Sequence, residues 1–472
     1  MGYPHTPEQI HKLCDSPFIG GTKLDDVPIE YHDYYTRSTI DNLAETYVVQ
    51  DEAYDIYDQL RRMIEAGYKH RNPLNKKMEK MLVAIERDKD DPIAAKNLKV
   101  AFGNAIDSML TANASYLLCG LSGRGKTTLI LRLLKEITKY YKHSKYTKSD
   151  GSTVDFKYDQ QVYLYVQLHE RRGQKALLKT VLAALDEETG ENYEYNHRNS
   201  SIEQLITAIR KAMILHNVGV LIIDEAQNFS KTPTQLTISP NERTSIKFVE
   251  EIFNRIGVPL FLIGTVSTFK LFGNNMKIGR RITNNGSKTL LSCPLEESFW
   301  QRLCDQICRT ELLKGQVTKL DTIKRHLHLK TQGIPAIAVS LVRATLCHLT
   351  KLKPEQQDLG IRTINYVFEQ QFKVLKAPLR ALKNEQYHKY EDFDVLALLE
   401  IVDAEEALEE KQSQQEPLEE QPQNSSESTP KPKRKKYKPR STSTVKTVDV
   451  ETAEKMGVTS IMSMLKSQKE KS

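Results

Sequence analysis

The feature that most constrains the fold of this 472-residue chain is a G-x-x-x-x-G-K-T pattern at 120–127. It lies between an apolar segment at 114–120, which predicts a buried strand, and a segment at 126–141, which predicts a helix. In this setting glycines let backbone N–H groups face phosphates, and the helix N-terminus favours an anion. Lys126 is expected to reach the β- and γ-phosphates, and the Thr127 hydroxyl to bind Mg²⁺. We therefore predict a site for ATP and Mg²⁺ with nucleotide contacts from Gly120, Leu121, Ser122, Gly123, Arg124, Gly125, Lys126, Thr127 and Thr128.

Two carboxylates follow a second buried strand. The apolar run at 218–223 is typical of a parallel strand covered on both faces, and Asp224 and Glu225 come directly after it. Ligands bind at the carboxyl ends of parallel strands, so Asp224 is predicted to hold Mg²⁺ through its outer shell. Glu225 is predicted to orient and polarise the attacking water. An Asp-Glu pair supplies a base for water and therefore favours ATP hydrolysis or a timed ATP switch over kinase chemistry. A solvated acidic turn is the alternative.

Three further residues are candidates for the same chemistry. A third strand at 258–263 precedes Thr265, which is predicted to contact the γ-phosphate or the water. Arg280 and Arg281 are predicted to lie in a Gly/Asn-rich loop, where an arginine could stabilise transition-state charge at a neighbouring subunit's γ-phosphate. The alternatives are a strand-capping threonine and a solvated or DNA-facing arginine pair.

Composition and periodicity divide the chain into five parts. They are an arm and helix at 1–70, an α/β core at 71–295, a helical lid at 296–400, a linker at 401–455 and a terminal segment at 456–472. The helix in the first part is predicted near 50–67. The linker runs from acidic to basic and is expected to be disordered. In the terminal segment, apolar residues recur at helical spacing and predict a short helix.

Composition also excludes several classes of protein. With 68 Lys and Arg against 61 Asp and Glu, the net charge of +7 leaves any DNA affinity to local patches. No apolar run approaches the ~20 residues that a membrane span needs. Six cysteines are too few for a disulfide scaffold. We expect an intracellular protein with no membrane partner.

Together, the phosphate loop, the Asp-Glu strand, the Thr265 strand and the helical lid resemble the AAA+ ATPases. The flanking motifs are similar to those of TnsC-type transposition regulators; they are Ser16-Pro17-Phe18-Ile19, Gly67-Tyr68, Arg71-Asn72-Pro73, Ile222 to Asn228, Gly257 to Thr265 and, after a basic tail, Val458 to Met462. One departure lies at 332–335, where the usual sensor-2 arginine of the lid is missing. Arg343 is a distant candidate for that role.

The resemblance implies a function in the bacterial cytoplasm. Proteins of this type bind ATP and assemble as rings or helical filaments on double-stranded target DNA. They are recruited by a TnsD-like or TniQ-like target selector or by a guide-RNA complex. The arm and helix at 1–70 are expected to contact this selector or another partner. They then engage TnsA/TnsB-like transposase subunits and disassemble on ATP hydrolysis.

The resemblance also assigns roles to residues outside the ATP motifs. Asn72 and Pro73 are expected in the adenine pocket, with a plain turn as the alternative. DNA phosphates are expected to meet Arg171, Arg172, Lys175 and Lys179, with a solvated loop as the alternative. The segment 142–148 is a second DNA candidate, although an exposed hairpin is favoured. The terminal segment is expected to dock in a groove of the transposase, and folding back on the lid is the alternative.

Other hypotheses remain open at this point. The chain could be another DNA-associated AAA+ ATPase, a replication initiator or helicase loader, although an initiator should carry a folded DNA-binding domain after the lid. It could instead be a P-loop signalling scaffold that does not bind DNA. A metal site can be drawn from Cys304, Cys308, His326 and His328. We favour core positions for the cysteines, because their spacing is unusual for zinc.

Overall fold

The computed structural model describes residues 3–21, 24–71, 78, 82–83, 85, 114–147, 151–168, 174–229, 255–268, 276–313 and 319–391. All of them belong to one compact unit, Met1–Gln412. Most of the residues from 72 to 113 and all of 230–254 are outside the described part of the chain. The linker and the terminal segment lie outside them entirely.

The described helices are α1 (Pro7–Cys14), α2 (His32–Asp41), α3 (Ala53–His70), α4 (Lys126–Lys135), α5 (Gln174–Thr189), α6 (Tyr193–Asn196), α7 (Ile202–Leu215), α8 (Met276–Ile282), α9 (Ser298–Ile307), α10 (Leu320–Thr331), α11 (Pro335–Leu349), α12 (Ile361–Gln371), α13 (Lys376–Lys383) and α14 (Tyr387–Glu391). The described strands are β1 (Ser115–Gly120), β2 (Tyr140–Thr147), β3 (Thr153–Gln161), β4 (Tyr163–Gln167), β5 (Val220–Asp224), β6 (Leu260–Gly264) and β7 (Ser287–Leu290). Single 3-10 turns occur at Leu24–Asp26, Ile29–Tyr31, Asn42–Ala44, Ala226–Phe229, Thr310–Leu312, Pro354–Gln356 and Lys373–Leu375.

Five strands form one parallel sheet in the order β4-β5-β6-β1-β7. Strands β1, β5 and β6 are buried along their whole length, as expected for parallel strands covered by helices on both faces. The loops that follow these three strands therefore meet at one edge of the sheet. The predicted parallel α/β core is confirmed. The edge strand β7 was not predicted, because it is only four residues long and mostly polar.

Side chains alternate between two apolar layers. On β1, Leu117 and Cys119 face the layer that includes α5 and α7, whereas Leu118 faces the layer that includes α1, α3 and α4. This alternation places helices against both faces of the sheet. The phosphate loop, which joins β1 to α4, is thereby fixed at both of its ends.

The lid and part of the arm share a third apolar cluster. The cluster contains Trp300 of α9 and residues of α10, α11, α12 and α13, and Ile40 and Leu43 of the arm pack into it. The helical lid is confirmed for the described residues. Within that part of the chain, no single helix is long and apolar enough to cross a bilayer. The pair α10 and α11 reaches the required length and apolar composition only when the two helices are taken together, and they are bent by 119°.

The ends of two helices and the position of one arginine pair differ from the predictions. Helix α3 continues through Gly67 to His70; a Cβ at Gly67 would lie 3.0 Å from the Gly219 carbonyl oxygen, so the glycine allows close packing and does not end the helix. Helix α4 ends at Lys135 instead of 141, because the chain turns there into the antiparallel hairpin β2–β3. Arg280 and Arg281 lie in the last turn of α8 and not in a loop.

Candidate functional site

The phosphate loop has the backbone geometry that anion binding requires. Gly123 and Gly125 have φ angles of +79° and +86°, which side-chain-bearing residues rarely adopt. The Lys126 ammonium donates to the carbonyl oxygens of Gly120 and Leu121 at 2.8 and 2.9 Å. These bonds hold the cation over the loop, next to the N-terminus of α4. The arrangement suits a phosphate chain.

Asp224 joins the second strand motif to the phosphate loop. Its Oδ2 accepts hydrogen bonds from the Thr127 hydroxyl at 2.6 Å and from the Tyr165 hydroxyl at 2.9 Å, and its Oδ1 accepts the Glu225 N–H at 2.7 Å. The carboxylate is 1% exposed. Burial, and then the negative charge of Asp224, raise the pKa of Tyr165. A hydroxyl and a carboxylate placed together are the hard oxygen donors that Mg²⁺ prefers, so the residues fit the predicted ion. Tyr165 was not among the predicted site residues.

Glu225 and Thr265 are linked by Gln227, which was not among the predicted site residues. Glu225 has φ +58°, in the left-handed region, and its carboxylate accepts a hydrogen bond from the Gln227 side-chain amide. The Oε1 of the same amide accepts the Thr265 N–H at 3.1 Å. All three residues line the cavity described below. The predicted roles of Glu225 and Thr265 require this proximity.

A cavity of about 850 Å³ opens beside the phosphate loop, within the size range of small-molecule sites. Its core side is formed by Ser122 to Thr128, Glu225, Gln227 and Thr265, its lid side by Phe299, Leu303, Pro335, Ala336, Val339, Ser340 and Arg343, and its arm side by Ala44 to Val48 and Gln50. The cavity is large enough to hold a nucleotide. Arg343, the distant sensor-2 candidate, contributes to its wall.

The arm forms one wall of the cavity, whereas the adenine was expected to contact Asn72 and Pro73. Those two residues lie outside the described part of the chain. Residues 44–48 line the cavity, and the fully buried Gln50 donates to the Arg124 carbonyl at 2.7 Å. No pattern in the sequence indicated this wall, because it depends on a contact between residues 74 positions apart.

The Arg124 side chain anchors the loop. The guanidinium is 2% exposed, donates to the Leu291 carbonyl at 3.0 Å, lies 3.5 Å from Glu297 and stacks 5.0 Å from the centre of the Phe299 ring. Arg124 was predicted among the nucleotide contacts. The observed contacts tie its side chain to the start of the lid, so only its backbone remains suited to a phosphate.

The lid contacts the phosphate loop directly. The Ala336 N–H donates to the Gly123 carbonyl at 3.1 Å, and the Tyr390 hydroxyl donates to the Ser122 carbonyl at 3.0 Å. A Cβ at Gly123 would lie 2.9 Å from Ile334. A change in loop conformation would therefore be transmitted to α11 and to α14.

The other predicted residues lie apart from the cavity. Arg280 is exposed and Arg281 half-buried on α8, and neither lines the cavity of its own chain. An arginine that acts on a neighbouring subunit would have this placement, and its role stays a prediction.

The predicted DNA contacts are only partly described. Arg171 and Arg172 lie outside the described residues. Lys175 is exposed, whereas Lys179 forms an ion pair with Glu194 at 3.1 Å. The second DNA candidate, 142–148, lies largely in the β2–β3 hairpin, and a hairpin was the favoured interpretation of this segment. In that hairpin Asp159 lies opposite Lys142, and Asp155 lies opposite Lys145.

The cysteines considered for a metal site lie in the lid core. Cys304 and Cys308 are buried, and burial raises the pKa of both thiols, that of Cys308 to about 12. His326 bonds to Asn365 and His328 to the Cys293 carbonyl. Among the described residues, no group of three or more His, Cys, Asp or Glu side chains is placed to hold a metal ion.

Comparison with known proteins supports the class that the fold and site define. Residues 110–272 match the family model described as an AAA domain. No curated protein shows a significant match. Similar solved structures include the ORC2 protein of Aeropyrum pernix in its ADPNP–ADP complexes, at 14% identity over 68% of this chain and 94% of that one, with a TM-score of 0.33. The HORMA:CdnC:Trip13 complex of E. coli MS115-1 matches at 10% identity over 65% of this chain and 91% of that one, with a TM-score of 0.29. Likenesses this weak identify neither a function nor a partner.

The parallel sheet, the phosphate loop and the AAA domain match show that the chain contains an AAA+ domain, which is followed by a helical lid.

Proposed function

We propose that the chain is a TnsC-type regulator of DNA transposition. With ATP bound it assembles as a ring or helical filament on double-stranded target DNA. It links a target selector, TnsD-like or TniQ-like, or a guide-RNA complex, to TnsA/TnsB-like transposase subunits. Hydrolysis of ATP then releases the assembly. The work is done in the bacterial cytoplasm.

One observation carries this proposal together with the sequence motifs. The cavity beside the phosphate loop is lined by three parts of the chain: the core, the lid, and residues 44–48 and Gln50 of the arm. A nucleotide bound there would contact all three and set their relative positions. The arm, where target-selector contacts are predicted, and the lid, from which the tail continues, would then respond to the same ligand. An adaptor controlled by ATP needs this coupling.

The chemistry at the site follows from its oxygen and nitrogen groups. Lys126 and the loop N–H groups would bind the phosphates, and Thr127 and Asp224, which are hydrogen-bonded to each other, would hold Mg²⁺. The ion, when bound, offsets charge on the phosphate oxygens. Glu225 accepts a proton from the attacking water, and Thr265 contacts the γ-phosphate from the end of β6. Hydrolysis would remove the γ-phosphate from beside Glu225 and Thr265.

The proposal is tested by imaging the purified chain with duplex DNA of several lengths, under a non-hydrolysable ATP analogue, under ADP and without nucleotide. We expect ordered assemblies that lengthen with the duplex under the analogue and are absent in the other two states. ATP hydrolysis should rise when DNA is added. Pull-down of transposase subunits by these assemblies separates this role from that of a replication initiator or helicase loader.

Two results would contradict the proposal. ATP turnover that is indifferent to DNA, with no polymer under the analogue, would favour a signalling scaffold. Assemblies on DNA that retain no transposase would favour another DNA-associated AAA+ ATPase. The salt concentration has to be held constant throughout, because contacts to phosphates weaken steeply as salt rises.

A further inference from the structure

The side chain of Gln227 connects the two residues predicted to act on the γ-phosphate and the water. Its amide nitrogen donates to Glu225 Oε2. Its amide oxygen accepts the Thr265 N–H at 3.1 Å and faces the Thr268 hydroxyl at 3.4 Å. One planar group thus binds the carboxylate that follows β5 and the backbone that follows β6.

The surrounding structure fixes this amide in place. Gln227 lies on the 3-10 turn Ala226–Phe229, whose first and last side chains are buried in the core. The next residue, Asn228, donates from its side chain to the Leu168 carbonyl at 2.5 Å. At the end of β6, a Cβ on Gly264 would lie 3.0 Å from Gln227 Oε1, inside ordinary van der Waals distance. The missing side chain of Gly264 leaves room for the amide.

Glu225 depends on this support. Its left-handed backbone is unusual for a residue other than glycine and persists only when the surroundings determine it. Its N–H is held by Asp224 Oδ1 at 2.7 Å, and its carboxylate by Gln227. The side-chain position of the predicted base is therefore set by an amide that also contacts the Thr265 backbone.

We propose that Gln227 is a positioning residue that couples γ-phosphate contact at Thr265 to the placement of the Glu225 carboxylate. A displacement of the β6 end on γ-phosphate binding would move the amide oxygen, and the amide nitrogen would carry the carboxylate with it. The inference rests on hydrolysis of ATP at this site, which is one part of the proposed function. It does not depend on DNA or on the transposase.

The test compares Gln227→Leu, Gln227→Glu and the matched control Gln370→Leu, at an exposed position on α12. Steady-state ATP turnover, nucleotide affinity and melting temperature are measured for each. Gln227→Leu keeps the volume and removes both hydrogen bonds, so kcat should fall about 10- to 100-fold, the range for a lost hydrogen bond to a charged group. ATP affinity should change less than about threefold, because the phosphate loop is untouched. The control should match the wild type.

Gln227→Glu separates positioning from a merely structural role. The new carboxylate can still accept the Thr265 N–H, but it repels Glu225 in place of donating to it. We expect kcat to fall at least as far as in Gln227→Leu, with the melting temperature maintained. If Gln227 were merely structural, kcat should fall further in Gln227→Leu than in Gln227→Glu, since glutamate keeps one of the hydrogen bonds that leucine loses.

A double variant shows whether Gln227 acts through Glu225. Glu225→Gln combined with Gln227→Leu should turn over ATP no more slowly than Glu225→Gln alone, because the group being positioned is already disabled. A further full loss in the double variant would overturn the inference, as would a kcat within twofold of wild type for both single variants. A chain that hydrolyses ATP but fails to assemble on DNA contradicts the transposition proposal and leaves this test decisive.

Discussion

Replacing Arg124 by methionine should destabilise the junction between the phosphate loop and the lid. Methionine keeps much of the volume but removes the hydrogen bond to Leu291 and the charge beside Glu297. It also removes the cation above the Phe299 ring. The change tests whether the side chain at this loop position is structural, because it is buried away from the expected phosphates.

The magnitude follows from the two kinds of interaction. Losing a buried hydrogen bond costs about 1–3 kcal/mol, and breaking a fully buried ion pair about 3–5 kcal/mol. Glu297 retains 18% of its side-chain exposure, so solvent offsets part of the second loss. We expect the free energy of unfolding to fall by about 2–3 kcal/mol at pH 7.

The effect should depend on pH in a defined direction. Burial raises the pKa of Glu297 above its ordinary 4.5, and the positive charge of Arg124 lowers it. Because the folded-state pKa is raised, ionising Glu297 costs stability; the cost is absent below pH 4.5 and complete above the raised pKa. Removal of Arg124 enlarges that cost. The difference between wild type and variant should therefore shrink as the pH falls from about 7 toward 4.5.

Urea unfolding at several pH values measures the loss of unfolding free energy and its dependence on pH. The signal is the fluorescence of Trp300, the single tryptophan, which lies in the lid core next to Phe299. Arg325→Met on the exposed side of α10 is the control for loss of one surface arginine. A loss below about 0.5 kcal/mol at pH 7, the usual effect of a surface substitution, would refute the assignment of a structural role. A loss of the same size at every pH would show that the pair with Glu297 contributes nothing.

Four other changes test the site and the partners. Lys126→Ala should lower ATP affinity about 100-fold in a binding titration, because it removes the cation over the phosphates, and unchanged affinity would contradict the phosphate-loop assignment. Glu225→Gln should give ATP-bound assemblies that form on DNA and persist under imaging, whereas normal disassembly would exclude Glu225 as the base. Lys175→Glu should weaken duplex binding similarly for all sequences and lower the salt slope by about 0.9 for each phosphate no longer neutralised, while Lys179→Glu, whose lysine is already paired, should do less. Deleting 456–472 should reduce transposase pull-down and leave ATP turnover intact, and a lowered melting temperature would show that the segment is structural.

The sequence by itself determined the elements that local chemistry specifies. Apolar runs at 114–120, 218–223 and 258–263 predicted three neighbouring strands of the sheet, with ends that shift by no more than two residues. The phosphate loop was predictable because glycines with positive φ and a lysine at the start of a helix are required within eight residues. Asp224 was placed beside Thr127 by the rule that parallel strands end at one edge.

Only the tertiary structure decided which distant groups complete the site. Residues 44–48 and Gln50 of the arm line the cavity, the Arg124 side chain is buried against the lid, and Gln227 connects two strand ends. None of these has a periodic or spacing pattern, because each depends on a contact between segments far apart in the chain. Gly67 illustrates the same limit. Local propensity predicts that a glycine ends the helix, but Gly67 lies within α3, because Gly219, just before β5, approaches so closely that a side chain would not fit.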